Sequence, residues 1–406
     1  MEMTSKGKVI LALQHVLAMF GATVLVPILT GLDPSIAILC AGIGTLIFHL
    51  CTKGIVPVFL GSSFAFIGAI GLVFANEGIA AVKGGVIIAG LVYVVMAGAI
   101  KLFGVEKIRS FFPPIVTGPI IMVIGLRLSP VAISSSMYDN GEFSPVFLLV
   151  SAIVVITMIV ISVFAKGFFK LVPILVAVII GYLVSLPLGL VSIEEISKAP
   201  LLGFEVKALE QIITLPRFTL SGVLAIAPIA LVVFIEHIGD ITTNGAVVGK
   251  DFFKEPGVHR TMLGDGLATI VAGLIGGPAN TTYSENTGVL AVTKMYDPSV
   301  IRLAAVFAII ISFIGKIGAI IRYIPEPVMG GVSIILFGMI ASIGVRILIE
   351  AQLDFAYSRN LMISSLILVC GIAIEELPIY GTITISGLAI AALIGVILNK
   401  ILPTDI

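Results

Sequence analysis

Four carboxylates stand where the surrounding chain is almost wholly apolar: Glu236, Asp240, Asp265 and Glu285. A charged acid at bilayer depth costs roughly 2.5 to 3.5 kcal/mol even on insertion scales, so each needs a partner, a watery cavity or a proton. The chemistry open to such groups is to accept N–H donors of a polar ligand and to take up or release protons. Glu236 and Asp240 are one helical turn apart and share a face with the narrow Ile238-Gly239 step. Glu285 sits in PANTTYSENTGVLAVTK, residues 278–294, among hydroxyl, amide and glycine neighbours. For each acid a plainer reading stands beside the functional one, a hydrogen bond to a neighbouring helix, and Asp265 invites it most. His15 divides the same way between packing and a supporting polar role.

The elements that must position these residues follow from composition. Of 406 residues, 59% are hydrophobic and 11% charged, and the mean hydropathy is +1.22. Soluble chains carry about 25% charged residues, so this is an integral membrane protein embedded in a lipid bilayer. Runs of Leu, Ile, Val, Ala and Gly predict helices and exclude the alternating pattern of a barrel. Net charge is zero, which gives no nucleic-acid partner. Cys40, Cys51 and Cys370 form no close motif and read as small apolar-span residues.

At about 20 residues per span, the pattern predicts fourteen helices centred near residues 18, 43, 65, 93, 122, 155, 180, 230, 269, 288, 310, 335, 367 and 392. A polar stretch at 191–218 divides them seven and seven. With both termini inside, Lys and Arg fall roughly 16 to 7 on the cytoplasmic side. Met1 to Lys8 then reads as a retained cytoplasmic start of the first span rather than a cleaved leader.

The halves repeat. Gly61-Ser-Ser-Phe-Ala-Phe-Ile-Gly68 answers Thr281-Thr-Tyr-Ser-Glu-Asn-Thr-Gly288, Gln14-His15 answers Glu236-His237, and Pro113-Pro114 answers Pro325 and Pro327, at offsets of about 219, 222 and 213. An odd number of spans per repeat inverts the second half. Polar interruptions at matching positions of inverted repeats point to a secondary transporter's midplane site. Ser62-Ser63-Phe64 and Thr281-Thr282-Tyr283 favour extended backbone, so spans three and ten should each begin with a short extended segment and continue as a half-helix. Amides at the start of those half-helices would offer donors to a polar ligand.

Other chemistries lack their residues. There is no GxxxxGK[ST] loop for ATP, no enzyme motif, no cofactor site and no His or Cys spacing for a transition metal, so the metal expectation is none. A sodium site built from carbonyls stays open as the alternative to a proton.

Gln14-His-Val-Leu-Ala-Met-Phe-Gly-Ala-Thr-Val-Leu-Val-Pro27, Gly61-Ser-Ser-Phe-Ala-Phe66, Glu236-His-Ile-Gly239, Asn280-Thr-Thr-Tyr-Ser-Glu-Asn-Thr-Gly288 and the Glu285-Asn286-x-Gly288-x-x-x-x-Thr293-Lys294 signature resemble the nucleobase-ascorbate transporter family, over essentially the whole chain. The resemblance implies a core domain at 8–110 (spans one to four) and 218–322 (spans eight to eleven), and a gate domain at 111–192 (spans five to seven) and 323–402 (spans twelve to fourteen). It implies proton-coupled uptake of uracil across the inner membrane by movement of core against gate, and a homodimer through the gate. By motif position, Glu236 and Glu285 would bond the pyrimidine, the amides of Phe64 and Ser284 would donate to its carbonyls, and Ala22 and Tyr283 would shape the pocket. Glu285, Glu236 and Asp240 are the candidates for the coupled proton, with His15, Asn286 and Asp265 as supporting polar groups. Asp240 stands where the uracil branch tends to have histidine, as in the xanthine and urate branch, and Ser284 stands where glycine is usual. A carboxylate at 285, rather than the purine branch's glutamine, favours uracil. A xanthine or broad nucleobase permease is the alternative in the same class. An anion exchanger or channel is the alternative outside it, disfavoured by acids with no nearby base.

Overall fold

The structure, a computed structural model, describes residues 5–380 and 383–403. The expected cytoplasmic start at Met1 to Thr4 and residues 381 and 382 of the expected gate lie outside them. The first half runs α1 (Ser5–Thr30), α2 (Pro34–Cys51), β1 (Leu60–Ser62), a single 3-10 turn at Phe64–Phe66, α3 (Ile67–Glu77), α4 (Ile79–Phe103), α5 (Val105–Arg109), α6 (Pro114–Met137), a small hairpin of β2 (Tyr138–Asp139) and β3 (Glu142–Phe143), α7 (Pro145–Phe164) and α8 (Pro173–Ser185). Two short helices, α9 (Ile193–Lys198) and α10 (Val206–Ile213), form the connector. The second half runs α11 (Leu220–Ile226), α12 (Ile229–Val248), α13 (Val258–Ile275), β4 (Asn280–Thr282), α14 (Ser284–Thr293), α15 (Pro298–Ser312), α16 (Gly315–Arg322), α17 (Glu326–Glu350), α18 (Ser358–Ala373), the hairpin β5 (Glu376–Tyr380) and β6 (Ile383–Ser386), and α19 (Gly387–Ile401).

Among the described residues seven helices are long and apolar enough to cross a membrane, or eight if α15 and α16, bent by 82° at Phe313-Ile314, count as one span. The chain is a mostly helical, multi-pass membrane protein. The fourteen expected centres all fall on helices or, at residue 65, on the 3-10 turn. Several of these, such as α8, α14, α18 and α19, are shorter than a bilayer-crossing helix of about 20 residues.

The predicted extended segments are present and they pair. β1 and β4 run antiparallel with Leu60 opposite Thr282, Gly61 opposite Thr281 and Ser62 opposite Asn280. Outside the ladder, Ser63 N donates to Ala279 O at 2.9 Å and Tyr283 N donates to Phe59 O at 3.0 Å. Helix α13 stops at Gly276, whose φ of 109° caps the C-terminus in the left-handed region, and Pro278 follows to keep the chain extended. Buried strand ends need partners for their free amides. Thr45 Oγ1 of α2 accepts from Leu60 N at 2.9 Å, and Thr269 Oγ1 of α13 accepts from Asn280 N at 3.1 Å.

The connector is clamped to the helices around this crossing. Lys83 Nζ of α4, fully buried, donates to the carbonyls of Gln211, Ile212 and Thr214 at 3.0, 3.0 and 2.6 Å, satisfying the free carbonyls at the end of α10. Arg322 pairs with Asp33, the N-cap of α2, and with Glu205 at the start of α10. Gln211 Nε2 donates to Gly276 O at 2.6 Å.

Candidate functional site

Three acids meet where the strands end. Helix α12 presents Glu236 and Asp240 on one face with Gly239 between them, where an added Cβ would meet nothing within 4 Å. Both carboxylates are half-buried, and so is Glu285 in the first turn of α14, where the positive end of the helix favours an acid. Asp240, Glu285 and Asp265 all lie within electrostatic range of Glu236. Ser284 is exposed, as are Gly68 and Gly239. The nearest groups to a Cβ at Gly68 and at Gly288 would be Leu128 Cδ2 of α6, at 3.9 Å, and Leu171 Cδ2, at 3.8 Å. The acids of α12 and α14 therefore line a partly exposed cleft that α6 and the turn before α8 adjoin.

Asp240 is held from the strand side. Its Oδ2 accepts from Thr282 Oγ1 at 2.8 Å and its Oδ1 from Ser284 Oγ at 2.5 Å, bonds to a charged acceptor being the strong kind. Thr282 and Ser284 thus tie β4 and the start of α14 to α12. Ser284 is where the resemblance led one to expect glycine, and its hydroxyl answers the acid that replaces the expected histidine.

The other expected residues stand behind the cleft. Ala22 is fully buried on α1. The Tyr283 ring is buried too; its hydroxyl donates to Ser62 O at 2.9 Å and accepts from Thr23 Oγ1 at 3.4 Å. Asn286 Nδ2 donates to His15 O at 3.0 Å and to His15 Nδ1 at 3.1 Å, locking α14 to α1. The carbonyl fixes the amide orientation, so His15 Nδ1 is the unprotonated acceptor and His15 is a neutral supporting group. Phe64 is half-buried at the head of its turn, and its N–H and that of Ser284 open their helices, where no intrahelical partner exists.

Asp265 is fully buried on α13, with Oδ2 2.8 Å from His237 Nδ1. Residue 237 was legible only as a repeat marker beside Glu236. One residue on from Glu236 is about 100° around the helix, which turns His237 away from the cleft and toward α13. It lies within electrostatic range of both Asp265 and Asp240.

Two apolar cavities lie elsewhere. One of about 460 Å³ is lined by Leu149, Ile180, Leu183, Val184, Pro187 and Leu188, and one of about 190 Å³ lies between Phe20, α8 and α16. Neither has a carboxylate in its lining, so neither offers the chemistry of the acid cleft.

Residues 6–379 match the sequence model of the Permease family. The chain belongs to that family, the nucleobase-ascorbate transporters. It is 46% identical over 394 residues to the uracil permease of Bacillus caldolyticus, covering 97% of this chain and 91% of that one. It is 45% identical to the uracil permease of Bacillus subtilis (strain 168), with 97% and 92% covered, and 39% identical to that of Escherichia coli (strain K12), with 96% and 90% covered. Among solved structures, the transmembrane domain of the cyanobacterium bicarbonate transporter BicA aligns with a TM-score of 0.66 at 16% identity, covering 97% of both chains. The murine Slc26a9 anion transporter in its inward-facing state aligns at 0.70 and 9% identity, covering 98% of this chain and 68% of that one. At such identities the likeness is one of fold. A permease moves its substrate without chemical conversion, and the chain is not an enzyme.

Proposed function

We propose that this permease takes up uracil with protons across the inner membrane, binding it in the cleft between Glu236 and Glu285. The observation that carries the reading is the set of two half-buried acids flanked by the opening amides of Phe64 and Ser284. Uracil has two ring N–H donors and two carbonyl acceptors, the complement of two carboxyl groups and two amides. The relatives named uracil permease, at 39 to 46% identity over nearly the full length, support the same substrate.

The layout that goes with it is fourteen spans in two inverted sevens. Its support is reciprocity: Ser63 N reaches Ala279 O as Tyr283 N reaches Phe59 O, and α2 packs on α15 as α13 packs on α4. In this reading spans one to four and eight to eleven form a core that moves against a gate of spans five to seven and twelve to fourteen, so that the cleft opens to each side in turn. Both termini are cytoplasmic, and two copies associate through their gates.

Asp240, the residue shared with the xanthine and urate branch, favours a broader nucleobase range as the second reading. The bicarbonate and anion transporters of similar fold suggest anion exchange, but a cleft walled by acids repels anions. Uptake of radiolabelled uracil in a permease-deficient cell, competed by unlabelled uracil, xanthine and bicarbonate in turn, separates the three. Uracil alone should compete strongly; competition by xanthine at equal concentration would favour the broader permease, and competition by bicarbonate would overturn the proposal.

A further inference from the structure

His237 Nδ1 lies 2.8 Å from Asp265 Oδ2, and His237 Nε2 lies 2.8 Å from Thr261 Oγ1. Thr261 Oγ1 is also 3.0 Å from Val258 O, one turn earlier in α13. All three side chains are fully buried. We propose that Thr261, His237 and Asp265 form a proton-accepting triad behind the cleft, switched between two states by rotation of the Thr261 hydroxyl.

The argument is a count of protons. A hydroxyl has one, and Thr261 can aim it at only one of its two neighbours. Aimed at Nε2, it makes that nitrogen an acceptor; His237 is then neutral, carries its proton on Nδ1 and donates it to the Asp265 carboxylate. The triad bears one negative charge. Aimed at Val258 O, the hydroxyl leaves its oxygen free to accept, and Nε2 must carry a proton to satisfy it. His237 is then an imidazolium donating at both nitrogens, and the triad is neutral. Passing from the first state to the second consumes one proton: an O–H bond of a hydronium ion breaks, an N–H bond forms on the imidazole, and no heavy atom has to move. A hydrogen-bonded environment that serves both charge states is what lets a buried group titrate at all.

Hydroxyl, imidazole and carboxylate in this order also compose a hydrolase triad, but the Thr261 oxygen is enclosed between an imidazole and a backbone carbonyl, where no acyl group reaches it. The ionisable groups around the triad are Glu236 and Asp240 on the same helix, Asp265 on α13, Tyr93 on α4, Glu285 on α14 and Cys51 at the end of α2. Asp265 Oδ1 and Tyr93 Oη are both buried without a protein partner, and Tyr93 packs against Gly266, next in the chain to Asp265. Because His237 adjoins Glu236, loading the triad adds a positive charge directly behind one wall of the cleft.

The test is ¹⁵N NMR of the full chain in lipid vesicles, labelled at its four histidines, with His237 assigned by its loss in His237→Gln and no nucleobase present. As pH falls, His237 should pass from the Nδ1–H tautomer to imidazolium. Thr261→Val deprives the imidazolium of its acceptor and should lower the imidazolium fraction at a given pH about tenfold, while Thr261→Ser should match the unaltered protein. A single tautomer from pH 5 to pH 9, or a Thr261→Val titration identical to the parent's, would overturn the proposal. Should Thr261→Val fail to fold, the parent's own titration still decides. Because no substrate is involved, the result is independent of the uracil reading.

Discussion

A Cβ placed on Gly61 would lie 2.3 Å from both Cε2 and Cζ of Tyr283. The two residues belong to opposite halves, and the ring fills the space that a side chain on β1 would need. Gly61→Ala should therefore displace the Tyr283 ring and break its bonds to Ser62 O and Thr23, shifting the strand crossing that sets the cleft. Overpacking of this kind costs typically 1 to 3 kcal/mol. We expect a folded but less stable protein with uptake reduced at least about tenfold; uptake at the parent rate would show that the crossing tolerates the shift.

Asp240 engages both its oxygens with Thr282 and Ser284, and the role we propose for it is to position β4 and α14 and so tune the range of substrates. Asp240→His should retain measurable uracil transport and weaken purine binding. Asp240→Ala should cost more, since it leaves two hydroxyls unanswered. A folded Asp240→His protein with no uracil binding would place Asp240 among the indispensable ligands instead.

The extended segments were legible because their signal is local: two hydroxyl residues followed by an aromatic, in two copies at a fixed offset. The acids were legible because a carboxylate in an apolar run is conspicuous. The partners of those acids were not. Thr282 read as a strand residue and Ser284 as a backbone-amide donor, and nothing in a linear sequence says that Asp265 and His237, 28 residues apart, face each other across two helices. Span number was hard for a related reason. Helices interrupted at a site, such as α14 with ten residues, borrow their depth from neighbours rather than from their own length.

Lys83 illustrates a partner found only in three dimensions. Its ammonium group caps α10 through three carbonyls, so Lys83→Met, similar in length but without donors, leaves a buried helix end unsatisfied. The expected loss is about 1 to 3 kcal/mol, read as a lower thermal midpoint together with faster tryptic cleavage at Lys207 and Arg217. An unchanged cleavage rate would mean that the remaining contacts hold the connector without Lys83.

Orientation can be tested by accessibility. With Cys40, Cys51 and Cys370 replaced, single cysteines at Lys8, Lys254 and Lys400 should react with an impermeant thiol reagent only from the cytoplasmic side. Labelling of any one of them from outside sealed cells would invert the proposed topology at that point.

Coupling is assigned to Glu285 because it opens α14 in the cleft, half-buried, within range of a second acid at Glu236. Of the two histidines nearby, His237 faces Asp265 on the far side of α12 and His15 is engaged by Asn286. An ionised Glu285 covered by a neutral pyrimidine would be a negative charge stripped of water, offset only by the positive end of α14. A protonated one can share hydrogen bonds with the ring. Substrate and proton should consequently strengthen each other's binding, and by linkage the effect is mutual. Glu285→Gln keeps the shape of the protonated acid but has no proton to release. It should bind uracil and let it equilibrate, yet lose accumulation against a gradient and lose the response to an inward proton gradient. Glu285→Ala removes the hydrogen bonds as well, and its binding should weaken about tenfold or more. Uracil binding by isothermal calorimetry and uptake into vesicles at matched and unmatched pH separate the two losses. If Glu285→Gln still concentrates uracil when the outside is made acidic, the coupled proton resides on Glu236 or Asp240.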